Sequence, residues 1–99
     1  MLLSLKMLIN NIIEIKMDNL INEFGEIMRW PKKPTDKENV INWLSNKFEV
    51  EHIYSEKEIN EIINDSHSFN DTALLRRELI SRKYLIRKDD GSQYWKSVK

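Results

Sequence analysis

The chain has 99 residues, of which 40% are apolar, and its 16 basic and 16 acidic residues give a formal net charge of zero. This length suits one domain with a single core. The chain has no cysteine, which excludes a disulfide framework and a thiolate metal site and predicts a cytoplasmic protein. Zero net charge is not typical of proteins that coat nucleic acid, but the charge is unevenly distributed. Residues 76–99 carry eight basic and three acidic side chains, whereas residues 36–71 carry three basic and nine acidic ones.

Residues 1–28 are predicted to form one amphipathic helix. Polar side chains interrupt it so often that no apolar run approaches the roughly 18 residues of a membrane span, and no signal-peptide cleavage site follows. Within it, apolar residues recur at alternating spacings of four and three, which predicts a homodimer contact. The residues of this predicted contact are Ile13, Met17, Leu20, Phe24 and Ile27. Two alternatives stay open: the helix covers its own core, or the natural start is Met17 rather than Met1.

Two prolines end that helix, because proline lacks a backbone donor and disfavours helical geometry in the residue before it. Residues 29–34 are therefore predicted to be a short basic linker, and residues 35–99 a domain. Thr35 and Glu38 have the spacing of a capping box, which predicts that a helix begins here. Its buried stripe is predicted to be Val40, Ile41, Leu44 and Phe48. The alternating run of residues 49–54 then predicts a short strand.

A second capping box, Ser55 with Glu58, predicts a helix from near Glu56 to Asn64 or the residue after it. Residues 65–71 are rich in side chains that bond their own backbone, which indicates a turn, and another helix is predicted to start near Asp71 or Thr72. Two runs rich in aromatic and β-branched residues, 84–87 and 93–96, flank a turn at residues 89–92 and predict a hairpin. This order of elements predicts an α+β, mainly helical fold, a winged helix-turn-helix preceded by an extra N-terminal amphipathic helix.

Several separate blocks carry a family resemblance. They are residues 30–33 (WPKK), residues 54–62 (YSEKEINEI), Asp71 followed by residues 75–80 (LRRELI), and residues 91–95 (GSQYW). In these blocks and their order, residues 28–96 resemble the bacterial family known as domain of unknown function 2087. The resemblance implies a domain similar to a helix-turn-helix, found alone or joined to other domains, including regulators similar to the ArsR type. It implies no catalytic residues. The N-terminus differs from that of family members joined to other domains. A single amphipathic helix is expected there, and not a second helix-turn-helix module.

The helix predicted to start near Asp71 has apolar residues on one side and basic residues elsewhere. If it enters a major groove of DNA, its candidate contacts are Thr72, Arg76, Arg77 and Lys83, of which at most one arginine is expected to read a base edge. The hairpin adds two candidate phosphate contacts, Arg87 and Lys88. An alternative is that Arg76 or Arg77 pairs with acidic residues of the preceding helix, such as Glu58 or Glu61. For Arg87 and Lys88 the alternative is that they lie on a solvated hairpin edge, where their charges prevent edge-to-edge pairing with another strand.

Other chemistry has little support in the sequence. His52 and His67 lack the spacing of metal ligands and are predicted to be surface or turn residues. Ser55 has no placed histidine to activate it, and two glycines do not make a phosphate-binding loop. We therefore predict no metal, no cofactor and no enzymatic activity. The leading hypothesis is a DNA-binding transcriptional regulator, homodimeric at (pseudo)palindromic sites. The alternative is a protein–protein interaction module of the same fold that binds no nucleic acid.

Overall fold

The computed structural model describes residues 19–98. Three helices come first in this part of the chain, α1 (Pro34–Ser45), α2 (Glu56–Asn64) and α3 (Thr72–Ser81). Two antiparallel strands follow, β1 (Leu85–Arg87) and β2 (Tyr94–Lys96), in a register that pairs Ile86 with Trp95. The described residues thus form a small α+β fold, as the sequence predicts.

The N-termini of α2 and α3 are capped by side chains where the sequence predicts them. Ser55 Oγ accepts a hydrogen bond from the Glu58 amide at 3.1 Å, and the Glu58 carboxylate accepts one from the Ser55 amide at 3.0 Å. The predicted capping box is therefore confirmed, and α2 spans the predicted residues. At α3, the Asp71 carboxylate accepts from the Leu74 amide at 3.2 Å. These bonds satisfy donors that a helix start leaves without partners, which fixes where each helix begins.

Helix α1 begins differently from the prediction. Its first residue is Pro34, its N-cap is Lys33, and no side chain bonds the backbone at that cap. The predicted capping box of Thr35 with Glu38 is therefore wrong. The physical reason is Pro34, whose fixed φ suits the first helical position and whose missing N–H costs nothing there. The helix starts two residues early, so Thr35 lies inside it. The predicted buried stripe is confirmed: Val40, Ile41, Leu44 and Phe48.

Residues 19–28 form an irregular turn rather than the end of a long helix. The Asn22 side chain accepts hydrogen bonds from the amides of Phe24 and Glu26, and Gly25 adopts a positive φ of 76°. The chain then returns on itself, with the Met28 amide donating to the Leu20 carbonyl at 2.7 Å. The predicted helix is wrong over these residues, because turn-forming side-chain bonds compete with the helical backbone. Its earlier part, residues 1–18, lies outside the described residues.

Only the last residue of the strand predicted at residues 49–54 pairs with the hairpin. Tyr54 and Tyr94 exchange two backbone hydrogen bonds of 2.8 Å each. Residues 50 and 51 form a turn, in which Glu51 has a φ of 61°, and residues 49, 52 and 53 belong to no strand. The strand prediction is therefore wrong apart from Tyr54. The Tyr54 hydroxyl also accepts from the Glu49 amide at 2.8 Å, which closes this turn upon itself.

A single cluster of buried apolar side chains joins these elements. It contains residues from all three helices and both strands, together with Leu20 and Ile27 from the N-terminal turn. Partly buried Trp30 and Trp43 pack against it, and Pro31 of the predicted linker is fully buried. Among residues 19–98, no helix has both the length and the apolar character that crossing a bilayer requires.

Candidate nucleic-acid interface

Helix α3 presents a narrow outward stripe next to the hairpin. Ala73, Arg77 and Ser81 are exposed at spacings of four residues, whereas Leu75 and Leu79 are fully buried on the opposite side. The two residues beside the arginine on this stripe are small. The stripe forms one wall of an open groove of about 390 Å³, lined by Glu56, Ala73, Arg76, Arg77, Ile80, Ser81, Arg87 and Tyr94.

Strand alternation gives the hairpin two different faces. Arg87 and its cross-strand partner Tyr94 line the groove beside α3, so Ile86 and its partner Trp95 point to the other side. Arg87 Nη1 donates to the Asp89 carbonyl at 3.3 Å, and its guanidinium lies over Gly91. A Cβ at Gly91 would lie only 2.5 Å from Arg87 Nη2, and Gly91 also has a φ of 76°. Glycine in the turn therefore permits the position that Arg87 takes.

Arg76 is held by the preceding helix. Its Nη1 donates to Asn60 Oδ1 at 2.5 Å, and its Nε lies 3.8 Å from the Glu56 carboxylate. Glu56 in turn accepts a hydrogen bond of 2.9 Å from the Tyr94 hydroxyl. This network joins α2, α3 and β2. Arg76 thus pairs with the preceding helix, as one of the two alternatives expects, although through Glu56 and Asn60 rather than through Glu58 or Glu61.

Three of the six candidate DNA contacts line the groove between α3 and the hairpin, and the other three lie outside it. Arg76, Arg77 and Arg87 line it, and the one carboxylate in the lining is Glu56, so the groove is basic. The Thr72 hydroxyl donates to Asn64 Oδ1. Exposed Lys88 follows β1, and its amide donates to the Gln93 carbonyl at 2.9 Å.

Lys83 closes the C-terminus of α3 in the left-handed conformation, with a φ of 66°. Its amide donates to Ile80 O at 3.0 Å, and the Tyr84 amide donates to Leu79 O at 2.9 Å. This pair of bonds is a Schellman motif, in which glycine is usual. The exposed Lys83 side chain therefore leaves the helix beyond the groove.

Arg82 anchors α3 to α1. Its Nε donates to Glu78 at 2.8 Å and its Nη1 to Glu38 at 3.3 Å. The hydrogen bond that Arg82 donates to Glu78 raises the pKa of Arg82, and Glu38 adds to that effect. Nearby, burial raises the pKa of the Tyr84 hydroxyl. One contact between the acidic and basic halves of the sequence, that of Glu38 with Arg82, therefore joins α1 to α3 within the domain.

His67 lies in the turn between α2 and α3 and is only 5% exposed, whereas His52 is exposed. The prediction of turn and surface histidines is right about their positions in the chain and misses the burial of His67. Its Nε2 accepts from the Asp71 amide at 2.9 Å, so Nδ1 carries the proton and donates to the Ile63 carbonyl at 2.7 Å. Among residues 19–98, no three His, Cys, Asp or Glu side chains are arranged to hold a metal ion.

The predicted dimer contact is divided among different environments. Leu20 and Ile27 are buried in the core of their own domain, and Phe24 is 78% exposed. These three residues do not share a helical face, because residues 19–28 form a turn. Ile13 and Met17 lie outside the described residues, so a contact through them stays a prediction.

Comparison with known proteins gives one family. Residues 26–96 match the model of the family described as "Uncharacterized protein conserved in bacteria (DUF2087)". The chain belongs to this DUF2087 family. The match confirms the resemblance carried by the sequence blocks, and it covers α1, α2, α3 and the hairpin of this DUF2087 member. No curated protein and no solved structure matches the chain.

Proposed function

We propose that this protein is a winged helix-turn-helix regulator that binds duplex DNA. The observation that carries the proposal is the convergence of Arg76, Arg77 and Arg87, from one helix and one hairpin, on a single groove. Helix α3 would be the recognition helix, α2 the helix that precedes it, and the β1–β2 hairpin the wing. The cytoplasmic location, the absence of catalysis and the link to ArsR-type regulators belong to the same proposal.

Arg77 is the central contact in this proposal. It lies in the middle of the exposed stripe of α3, between the small side chains of Ala73 and Ser81, which let the helix approach DNA closely. Arg87 of the wing lines the same groove, and in this proposal it contacts a phosphate. Arg76 supports both, since its bonds to Asn60 and Glu56 fix α3 against α2.

The remaining candidates have peripheral roles. Lys83 and Lys88 are exposed at the end of α3 and at the start of the turn in the wing, where they can add sequence-independent contacts to phosphates. Thr72 contributes at the first turn of α3 only if its hydroxyl exchanges its bond with Asn64 for one with DNA. A homodimer would place two such helices on the half-sites of a (pseudo)palindromic operator.

The test is binding to a mixed-sequence duplex, measured by fluorescence anisotropy over a series of salt concentrations. We expect the wild type to bind with an affinity that falls steeply with salt, because bound phosphates release counterions. Arg77→Ala and Arg87→Ala should each reduce the slope of log affinity against log salt by about one. Arg29→Ala is the matched control, since Arg29 is exposed and does not line the groove.

Circular dichroism shows whether each variant remains folded. Lack of binding by the folded wild type at low salt would contradict the proposal, and so would an equal loss in the Arg29→Ala control. A second candidate function, a protein-interaction module of the same fold, is favoured by the apolar groove on the other face of the hairpin. A folded protein that binds no DNA would support that alternative.

A further inference from the structure

The face of the hairpin that points away from α3 forms an apolar groove of about 540 Å³. Its apolar lining is the cross-strand pair of Ile86 and Trp95 together with Ile53 and Val98. Polar side chains complete the lining: Glu51, His52, Gln93, Lys96 and Ser97. The groove lies outside the surface assigned to DNA, because strand alternation separates these side chains from Arg87 and Tyr94. An inference about its occupant therefore goes beyond the proposed function.

This groove concentrates the exposed apolar surface of the described residues. Six large apolar side chains are exposed among residues 19–98, and three of them line the groove: Ile53 at 54%, Ile86 at 41% and Val98 at 92%. Half of the large exposed apolar side chains of residues 19–98 therefore meet at one place on the surface, where an apolar segment can bury them together. Something apolar is therefore expected to cover it.

The chain itself supplies a suitable occupant. Eleven of residues 1–18 are apolar: Met1, Leu2, Leu3, Leu5, Met7, Leu8, Ile9, Ile12, Ile13, Ile15 and Met17. The segment joins the described part at Asn19, next to Leu20, which is anchored in the core at 1% exposure. At about 3.3 Å per residue, 18 residues reach roughly 60 Å. The longest dimension of the molecule is 43 Å, so the groove lies within reach.

We propose that residues 1–18 occupy the apolar groove of their own chain. Covalent attachment favours this occupant over a separate molecule, because a short tether raises the effective concentration of the segment to about the millimolar range. Seated there, the segment covers Ile86 and Trp95 and supports the hairpin from behind. The same hairpin carries Arg87 on its opposite face, so the occupied groove also steadies one wall of the basic groove.

Cross-linking in the full-length chain tests this directly, because the natural chain has no cysteine. Leu5→Cys, Ile9→Cys and Ile13→Cys are each combined with Ile86→Cys and treated with a short bis-maleimide. The matched control combines the same three residues with Asn42→Cys, an exposed position on α1 that does not line the groove. We expect at least one groove pair to cross-link within the monomer in severalfold higher yield than its control.

Yields equal to the controls in all three groove pairs would overturn the proposal. Cross-linked dimers in place of monomers would also overturn it, in favour of the segment of a second copy. An independent readout is the indole N–H resonance of Trp95 in the full chain, which Ile9→Asp should shift and Asn10→Asp should leave in place. An unchanged Trp95 resonance in Ile9→Asp would likewise count against the proposal. None of these outcomes depends on DNA binding, which the salt series tests separately.

Discussion

At the turn between α2 and α3, one imidazole ring bonds two backbone groups. His67 joins the carbonyl of Ile63 at the end of α2 to the amide of Asp71 at the start of α3, with both bonds under 3 Å. Its ring also packs against that of Phe69 at an interplanar angle of 69°, with a centroid distance of 4.8 Å. The angle between the two helices thus depends on a side chain that makes no contact in the proposed interface.

We expect His67→Ala to lower the free energy of unfolding by about 2 kcal/mol, because it removes a buried ring and leaves the Asp71 amide without its side-chain partner. The Ile63 carbonyl keeps a hydrogen bond from the Ser66 amide at 2.9 Å. Urea denaturation followed by tryptophan fluorescence measures the change. His52→Ala is the control of the same residue type, and since His52 is exposed the loss should stay below about 1 kcal/mol. Equal losses in the two variants would show that the interhelical bonds of His67 contribute nothing.

The sequence does not distinguish Arg76 from Arg77, and the reason is geometric. Adjacent residues on a helix point about 100° apart, but which of them faces α2 depends on how α3 is rotated against its neighbour. Leu75 and Leu79 set that rotation by entering the core, and Arg76 then meets Asn60. The spacing of Ala73, Arg77 and Ser81 was available in the sequence as a signal for the outward stripe.

At the scale of elements, the hairpin and the boundaries of α2 and α3 follow from local chemistry. A capping box and the residues of a tight turn act within four residues, so one sequence contains all the partners. The start of α1 was mispredicted because two local signals compete there. Pro34 begins the helix, and Lys33 occupies the cap with a backbone conformation, φ −75° and ψ 134°, that suits a capping side chain.

Lys33→Ser should therefore raise the free energy of unfolding by about 0.5 to 1 kcal/mol, since a hydroxyl at this position can accept from a first-turn amide. Thermal or urea denaturation detects a change of this size. Thr35→Ala is the informative companion. It should change stability by less than about 0.5 kcal/mol, because Thr35 does not cap the helix. A large loss in Thr35→Ala would restore the capping box predicted from the sequence.

The capping box of α2 predicts a dependence of stability on pH. Hydrogen bonds from the backbone and then the side chain of Ser55 hold the pKa of Glu58 below its usual value of 4.5. A carboxyl whose pKa is lower in the folded state stabilises the fold at pH above 4.5, and this contribution is lost as the pH falls through the lowered pKa.

We expect Glu58→Gln to flatten the decline of stability below about pH 4.5, the usual value for Glu58, as measured by urea denaturation at a series of pH values. Glu61→Gln removes a charge from the same helix without touching the capping box and is the matched control. An acid decline of the same slope in wild type and Glu58→Gln would exclude this carboxylate as a source of the pH dependence.

At the scale of the whole molecule, residues 20–28 are part of the domain. The family match begins at residue 26, yet Leu20 and Ile27 are both buried in the common core. Ile27 is bonded to the turn before α3, since its amide donates to Ser66 O at 2.8 Å and its carbonyl accepts from the Ser68 amide at 3.0 Å. The N-terminal turn therefore holds the same segment that His67 organises.

Ile27→Ala should lower the free energy of unfolding by about 3 kcal/mol, because it opens a cavity in a fully packed core. Phe24→Ala, three residues earlier and 78% exposed, should change it by no more than about 0.5 kcal/mol. The measurement is denaturation followed in parallel by far-ultraviolet circular dichroism and tryptophan fluorescence. If Ile27→Ala were as mild as Phe24→Ala, the N-terminal turn would be an appendage and not part of the core.

The same residues show why the predicted N-terminal helix is wrong over residues 19–28. Apolar spacings of four and three suit a helix, and nothing in that periodicity reveals that Leu20 and Ile27 reach one core from two arms of a turn. The side-chain bonds of Asn22 and the positive φ of Gly25 reverse the chain between them. Contacts with residues 66–68, some 40 positions away, then outweigh the local preference for a helix.

The alternation of the hairpin restricts how its length can vary. Because side chains in a strand change sides at every residue, inserting or deleting one residue within β1 or β2 would exchange Arg87 with Ile86, or Tyr94 with Trp95, between the two faces. Both grooves would lose the lining side chains that the hairpin contributes in a single step. Changes in length are therefore tolerable only in the turn, at residues 89–92, where the chain is exposed or partly exposed and outside the ladder. Related chains are expected to differ in length there while keeping three-residue strands on either side.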